Sequence, residues 1–129
     1  MKVVVAPQAF KGSLSGPEAA MAIKEGVLAV FPSAEVSLMP IADGGDGTLQ
    51  SLIDASGGHY IKSTVPGPLG SPVLATWGVM GDNKTAVIEM AMASGLALIP
   101  QEQLNPKIAT TSGTGLLIKE ALDKGYRTI

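Results

Sequence analysis

The sequence predicts an α/β fold that begins with a parallel sheet, and three observations support this prediction. A β-branched run occupies residues 2–6, a helical pattern of apolar residues follows it, and an alternating strand pattern then covers residues 35–39. Strands that alternate with helices in this way form parallel sheets with helices packed on them. The 16 glycines and 9 prolines are spread along the chain, which indicates punctuated structure and not a disordered tract.

The first strand and the first helix have clear local signals. The run at residues 2–6 is continuously apolar after Lys2, which predicts a central strand buried on both faces. Ser15 and Glu18 have the spacing of a capping box, so a helix is predicted to begin there, and Pro32 predicts that it ends near residue 31. The predicted apolar stripe of this helix comprises Ala19, Ile23, Val27 and Val30.

The elements that follow are predicted from turn residues and periodicity. A short helix after residue 48 is predicted to end at Gly57-Gly58. Strands are predicted at residues 60–65, 73–80 and 85–90, with a hairpin turn at 81–83 between the last two. A final helix is predicted over residues 113–124 and is closed by Gly125. We place a change of domain near residue 62, so that residues 1–62 belong to a first domain and 63–129 begin a second α/β domain.

Composition excludes several classes of function. The formal net charge is −2 and no Lys/Arg cluster is present, which argues against a nucleic-acid or an anionic-membrane partner. The absence of cysteine excludes disulfides, thiolate metal sites and cysteine nucleophiles, and it is consistent with a reducing compartment. No segment approaches the roughly 18 apolar residues of a membrane helix. We therefore expect a cytoplasmic protein.

The last four residues, 126–129, follow a helix stop and have the pattern of a new strand. We therefore expect this sequence to be a fragment of a longer chain, and whether the gene's reading frame continues past Ile129 is the observation that would test this. Strands that lack their neighbours leave apolar surface bare, and such surface drives association. The isolated chain is expected to be inactive, and to form a homo-oligomer or to associate with the remainder of its parent.

The loop between the first strand and the first helix is a candidate anion site. Lys11, Ser13 and Ser15 lie where an ammonium, hydroxyls and the free amides of a helix N-terminus could meet a phosphate or a carboxylate. The alternative is a surface lysine beside ordinary helix caps. Neither a P-loop nor a dinucleotide-binding glycine motif is present.

The segment at residues 42–48 is a candidate metal and phosphate loop. Asp43 and Asp46 lie among three glycines, after a strand and before a helix. The glycines allow a tight bend and a close approach to a ligand, and carboxylates are the hard oxygen ligands that Mg²⁺ accepts alongside phosphates. The alternative is an acidic tight turn that caps the helix.

A third candidate region combines Glu89 with the threonine-rich segment at residues 110–115. Glu89 is predicted at the end of an apolar strand, where a carboxylate needs a partner or a task. The threonine-rich segment opens a helix and offers several hydroxyl and amide donors. The alternative is an N-capping loop.

Five blocks in this order resemble the N-terminal portion of the glycerate kinase family. They are Ala-Pro…Phe-Lys-Gly-Ser-Leu-Ser at 6–15, Ala-Asp-Gly-Gly-Asp-Gly-Thr at 42–48, Gly-Pro-Leu-Gly at 67–70, Ile-Glu-Met-Ala…Ala-Ser-Gly-Leu at 88–96, and Thr-Thr…Gly-Thr-Gly at 110–115. The resemblance implies transfer of the ATP γ-phosphoryl group to glycerate with Mg²⁺, with 2-phosphoglycerate as the expected product. It also implies a flavodoxin-like first domain, an inserted second domain, and an active site in the cleft between them.

The resemblance also suggests roles for the candidate residues. Asp43 is the expected metal ligand or general base, Lys11 is the expected anion clamp, and Asp46 is a second expected metal ligand. The residues expected to bind the substrate or its phosphate are Ser13, Thr48, Glu89, Thr110, Thr111 and Thr114.

One departure from the family pattern limits these assignments. Many members of the family have Asp-Ser where this chain has Gln8-Ala9, so we do not assign metal binding to that loop. Two rival interpretations remain open: a non-catalytic sugar-acid-binding domain, and an inactive fragment. A domain that only binds a carboxylate gains nothing from the Asp43/Asp46 pair, which favours the kinase.

Overall fold

The computed structural model describes residues 1–10 and 13–129, and it confirms the predicted α/β class with a parallel sheet. The chain divides into two compact units, Met1–Ser51 and Leu52–Ile129. This division lies within the second helix. The predicted change of domain at residue 62 concerns the fold of a longer protein and stays a prediction. Among the described residues, no helix combines the length and the apolar character needed to cross a membrane.

The first unit is built on a parallel pair of strands. Strand β1 (Lys2–Val5) pairs with β2 (Glu35–Leu38) in a register that joins Val3 to Val36, and helix α1 (Gly16–Val30) lies between them in the chain. The predicted strand–helix–strand unit is therefore confirmed. Helix α2 (Thr48–Ser56) follows β2 and ends at Gly57, as predicted, with Gly57 in the left-handed region at φ 67°.

The capping box predicted at the start of α1 is present. The Ser15 hydroxyl oxygen accepts a hydrogen bond from the Glu18 amide at 3.4 Å, and the Glu18 carboxylate accepts one from the Ser15 amide at 2.8 Å. The Ser15 hydroxyl also donates to that carboxylate at 2.7 Å. The bond from the Ser15 hydroxyl is the main cause that holds the pKa of Glu18 below its ordinary value, and the bond from the Ser15 amide is the second cause.

Two predictions of burial in the first unit are wrong. Val4 of β1 is 63% exposed, so this strand is not buried on both faces. On α1, Ile23 is 43% exposed and Val30 is 69% exposed, whereas Ala20 is fully buried. A helix of 15 residues is about 22 Å long, whereas strands of four residues span about 13 Å. The last turns of α1, which contain Val30, therefore extend beyond the two strands, whereas Ile23 lies within their length and this difference does not explain its exposure.

The second unit is an antiparallel sheet with helices. Strands β3 (His59–Pro66), β4 (Pro72–Val79) and β5 (Ala86–Val87) lie in that order in the sheet. Helix α3 (Ala91–Ser94), two single 3₁₀ turns (Leu96–Leu98 and Gln101–Gln103) and helix α4 (Ser112–Asp123) follow. The sequence predicted α4 to within one residue at each end, but it did not predict α3 or the 3₁₀ turns.

The turn before β5 is confirmed as a hairpin connection. The Met80 amide donates to the Thr85 carbonyl at 2.9 Å, and Asn83 has a positive φ of 55°. The Asp82 carboxylate accepts from the amides of Lys84 at 2.8 Å and Thr85 at 2.9 Å. These bonds, with that of Lys84 the largest cause, hold the pKa of Asp82 below its ordinary value.

The third predicted strand is much shorter than expected. It was predicted over residues 85–90, but β5 contains only Ala86 and Val87. After three further residues the chain enters α3, whose first turn is closed by a hydrogen bond from the Ser94 amide to the Met90 carbonyl at 2.8 Å. Glu89 therefore lies beyond the strand and not at its end, although its side chain is buried at 6% exposure.

The core of the second unit surrounds Trp77 of β4, which is fully buried. Its indole N–H donates to the Ser63 hydroxyl at 3.1 Å. Its ring packs edge-on against the ring of Tyr126, with 6.0 Å between the two ring centroids. Buried residues of the sheet and of both helices complete the cluster: Val65, Ala75, Val79, Ala86, Ala93, Leu117 and Ala121. The packing of α3 and α4 on the sheet therefore positions the segments at residues 88–96 and 110–115.

The end of the chain agrees with its predicted strand character. Helix α4 is closed by Gly125 at φ 97°, as predicted. Thr128 then forms a parallel bridge with Thr85, and its carbonyl accepts from the Ala86 amide at 2.9 Å.

Candidate functional site

The loop between β2 and α2 is shaped by its own short hydrogen bonds. The Asp43 carboxylate accepts from the Gly45 amide at 3.1 Å, and the Thr48 hydroxyl accepts from the Gly44 amide at 3.1 Å. Gly44 and Gly47 have positive φ values of 98° and 92°, a conformation that favours glycine. The glycines predicted to allow a tight bend therefore do so, and Thr48 stabilises the loop as well as opening α2.

The two aspartates of this loop are exposed and border a common small cleft. Asp43 and Asp46 line a cavity of about 40 Å³ together with Gln8, Ala9 and Ile41. Among residues 1–10 and 13–129, no group of three His, Asp or Glu side chains is placed to hold a metal. Mg²⁺ often uses only one or two carboxylates, since it keeps several waters and takes phosphate oxygens as further ligands. The donor chemistry of this pair therefore fits Mg²⁺ bound together with a phosphate, but not a metal held by protein alone.

A larger cleft lies beside the start of α1. It has a volume of about 270 Å³ and is bordered by Phe10, Ser13, Asp46 and Gln50, among others. Ser13 and Asp46 come from two different candidate stretches of the sequence, and this cleft brings them together. Lys11, the predicted anion clamp, lies outside the described residues.

Ser13 lies next to an antiparallel bridge between Phe10 and Leu14. The Phe10 amide donates to the Leu14 carbonyl at 2.8 Å, and the Ser13 amide donates to the Phe10 carbonyl at 2.9 Å. Ser15, which the sequence offered as a further phosphate contact, is instead taken up by the capping box with Glu18. The alternative interpretation as an ordinary helix cap is therefore correct for Ser15, and Ser13 remains the candidate ligand.

In the second unit, the threonines at the start of α4 differ in their surroundings. Thr110 is fixed by two hydrogen bonds: its hydroxyl accepts from the Ser112 amide at 3.1 Å, and its amide donates to the Pro68 carbonyl at 3.0 Å. Thr111 occupies the N-cap position and is exposed, but its side chain makes no capping hydrogen bond. Thr111 therefore does not cap α4 with its side chain, whereas the bond from the Ser112 amide to the Thr110 hydroxyl is consistent with the alternative of an N-capping loop.

Thr114 and Glu89 lie deeper in the second unit. The Thr114 hydroxyl is 2.8 Å from the Ser94 hydroxyl in a partly buried contact. Glu89 is buried immediately before α3, and its carbonyl accepts from the Met92 amide at 3.1 Å. The contact of Thr114 with Ser94 was not predicted, because nothing in a local sequence pattern pairs two residues 20 positions apart.

Comparison with known proteins agrees with the pattern of motifs. The sequence profile of the Glycerate kinase family matches residues 3–129. The chain belongs to the glycerate kinase family. The resemblance suggested by the five sequence blocks is thereby confirmed.

Individual relatives are similar over nearly all of this chain. A glycerate kinase of Bacillus subtilis is 58% identical over 97% of the chain, and a glycerate 2-kinase of Escherichia coli is 49% identical over 100% of it. A crystal structure of glycerate kinase 2 from Salmonella typhimurium, 45% identical, matches 98% of the chain with a TM-score of 0.71. The chain spans about a third of the length of these relatives, 33% and 34% for the two enzymes and 34% for the crystal structure.

Proposed function

We propose that the full-length protein transfers the γ-phosphoryl group of ATP to glycerate. The observation that supports this most strongly is the glycine-rich Asp43–Asp46 loop, found in a chain that matches the family over residues 3–129. Asp43 and Asp46 are exposed and border the small cleft, and Asp46 also borders the larger cleft that contains Ser13 and the start of α1. Hard oxygen ligands, a hydroxyl donor and a helix N-terminus are the groups that phosphoryl transfer needs on the phosphate side.

The reaction has a simple balance. The bond between the γ-phosphorus and its bridging oxygen breaks and ADP leaves, while a bond forms between that phosphorus and a glycerate hydroxyl oxygen. The hydroxyl proton passes to a base, and Asp43 is the proposed acceptor or the ligand that fixes the magnesium ion. When bound, Mg²⁺ neutralises charge on the phosphate oxygens, and Asp46 is its proposed second protein ligand.

The other residues are proposed to bind and to orient. Ser13 and Thr48 are assigned to the phosphate side, with Lys11 as the anion clamp. We assign the binding of glycerate to Glu89, Thr110 and Thr111. The two threonines directly precede α4, and Glu89 lies in the buried segment before α3. Cytoplasmic location and homo-oligomer formation remain predictions from the sequence.

The experiment is a turnover assay on the full-length protein with ATP and Mg²⁺, followed by phosphorus NMR. Glycerate is expected to yield ADP and 2-phosphoglycerate. Lactate, which keeps only the 2-hydroxyl, and 3-hydroxypropionate, which keeps only the 3-hydroxyl, identify the acceptor oxygen. We expect phosphorylated lactate and no phosphorylated 3-hydroxypropionate. Saturable glycerate binding without any ADP formation would instead favour a non-catalytic sugar-acid-binding protein.

A further inference from the structure

The partly buried contact between Ser94 and Thr114 joins two segments that the proposed function assigns to glycerate, and the inference rests on that function. Ser94 is the last residue of α3, and Thr114 lies in the first turn of α4. Their hydroxyl oxygens are 2.8 Å apart, so one hydroxyl donates to the other. A hydroxyl engaged in this way has a defined orientation, which sets Thr114 apart from the exposed Thr111.

Each end of this contact is continuous with a proposed binding segment. On one side, Glu89 lies two residues before α3 and is joined to it, since the Glu89 carbonyl accepts from the Met92 amide at 3.1 Å. On the other side, α4 begins directly after the Thr110–Thr111 pair, and the Gly115 amide donates to the Thr111 carbonyl at 3.2 Å. A change in the distance between Ser94 and Thr114 would therefore also change the distance between the two segments.

The start of α4 is also held from its other side. A Cβ atom at Gly113 would lie 2.0 Å from the Pro66 carbonyl oxygen, so the helix backbone rests directly on the end of β3. The Thr110 amide donates to the Pro68 carbonyl at 3.0 Å. Because it contacts both the sheet and Ser94, the first turn of α4 has little freedom to shift.

We propose that the Ser94–Thr114 hydroxyl pair is a positioning contact for glycerate binding. Ser94 is the positioning residue, and Thr114 acts through Ser94 and not on the substrate. The pair sets the separation between the buried Glu89 segment and the Thr110–Thr111 loop. The proposal differs from the expectation that Thr114 binds the substrate directly, which stays a prediction.

The test uses four variants of the full-length protein in the glycerate assay. Ser94→Ala and Thr114→Val each remove one hydroxyl, whereas Thr114→Ser keeps the hydroxyl and loses only the methyl group. Thr64→Val, at an exposed position of β3, is the matched control. Loss of one neutral hydrogen bond corresponds to about a fivefold change in an equilibrium.

We expect Ser94→Ala and Thr114→Val each to raise the KM for glycerate about fivefold while kcat stays within about twofold. Thr114→Ser and Thr64→Val should resemble the wild type. The double variant Ser94→Ala/Thr114→Val should be no worse than either single variant, because both remove the same contact. A lower melting temperature with an unchanged KM in both single variants would overturn the proposal. An elevated KM in Thr114→Val alone would also overturn it, since Thr114 would then contact glycerate directly.

A second measurement separates this inference from the proposed function. Amide hydrogen exchange of residues 110–115, in the absence of ligand, should be faster in Ser94→Ala and Thr114→Val than in the wild type and in Thr64→Val. Unchanged exchange would overturn the positioning contact whatever the activity. A wild-type protein that makes no ADP with glycerate would refute the proposed function, and the role in glycerate binding would be withdrawn with it.

Discussion

Gly113 is the position at which one added methyl group should most clearly disturb the placement of α4. Its Cβ would lie 2.0 Å from the Pro66 carbonyl oxygen, whereas ordinary contacts begin at 3.4 Å. Both partners are backbone, one in a helix and one at the end of a strand, so neither can rotate away. Gly113→Ala therefore requires the first turn of α4 to move by about 1.4 Å within a packed interface.

The same helix provides a matched control. Gly115 lies two residues further on, and a Cβ there would meet nothing within 4 Å. Overpacking of this kind costs about 1–3 kcal/mol, so Gly113→Ala should lower the free energy of unfolding by about 2 kcal/mol. Gly115→Ala should raise it by about 0.5–1 kcal/mol, because alanine loses less backbone entropy than glycine when a helix forms.

The assay is urea unfolding of the full-length protein, followed by the fluorescence of Trp77 in the core that α4 covers. The two variants should differ by about 3 kcal/mol, which is a separation of about 1–3 M in the urea midpoint for ordinary values of the slope. Hydrogen exchange at residues 110–115 should increase only in Gly113→Ala. Equal stability of the two alanine variants would refute the close approach of α4 to β3.

Three further perturbations test other parts of the structure. Trp77→Phe leaves the buried Ser63 hydroxyl without its indole donor, so it should lower the free energy of unfolding by about 1–3 kcal/mol more than the loss of side-chain volume alone. Adding Ser63→Ala should restore part of that free energy. Strictly additive effects of the two substitutions in urea unfolding would contradict the hydrogen bond. Because the folded-state pKa of Asp82 is depressed, its stabilising effect is present above the ordinary carboxyl pKa and is lost as the pH falls through the folded value. The difference in melting temperature between the wild type and Asp82→Ala should therefore become smaller as the pH falls toward 2. The exposed control Glu102→Gln should differ little from the wild type at any pH. A difference for Asp82→Ala that does not change with pH would contradict the turn geometry. Lys11→Ala should raise the KM for ATP or glycerate with the melting temperature nearly unchanged, whereas a large fall in melting temperature would identify a structural ion pair.

The elements that the sequence predicted well are those determined by neighbouring residues. The capping box of Ser15 and Glu18 starts α1, Gly57 and Gly125 end α2 and α4, and the 81–83 segment turns the chain between β4 and β5. Each of these features depends on hydrogen bonds or backbone angles within a few residues. Such signals are complete in a single stretch of sequence.

The predictions that were wrong concern burial and strand length, which depend on tertiary packing. An apolar pattern indicates that Val4 and Val30 can be buried, but not whether any element covers them. The β-branched residues after Thr85 favour a strand, yet β5 ends after two residues and α3 begins at Ala91. For the candidate site, the acidic glycine loop was visible locally, whereas the contact of Ser94 with Thr114 depends on the packing of α3 against α4.

The kinetic effect of Asp43→Asn in the full-length protein tests the central claim most directly. The substitution keeps the size of the side chain and removes the charge proposed to hold the metal or to accept the proton. With glycerate, ATP and Mg²⁺, we expect kcat to fall at least about a hundredfold, while the Kd for ATP stays within a few-fold of the wild-type value. An unchanged kcat would contradict the role proposed for the Asp43–Asp46 loop.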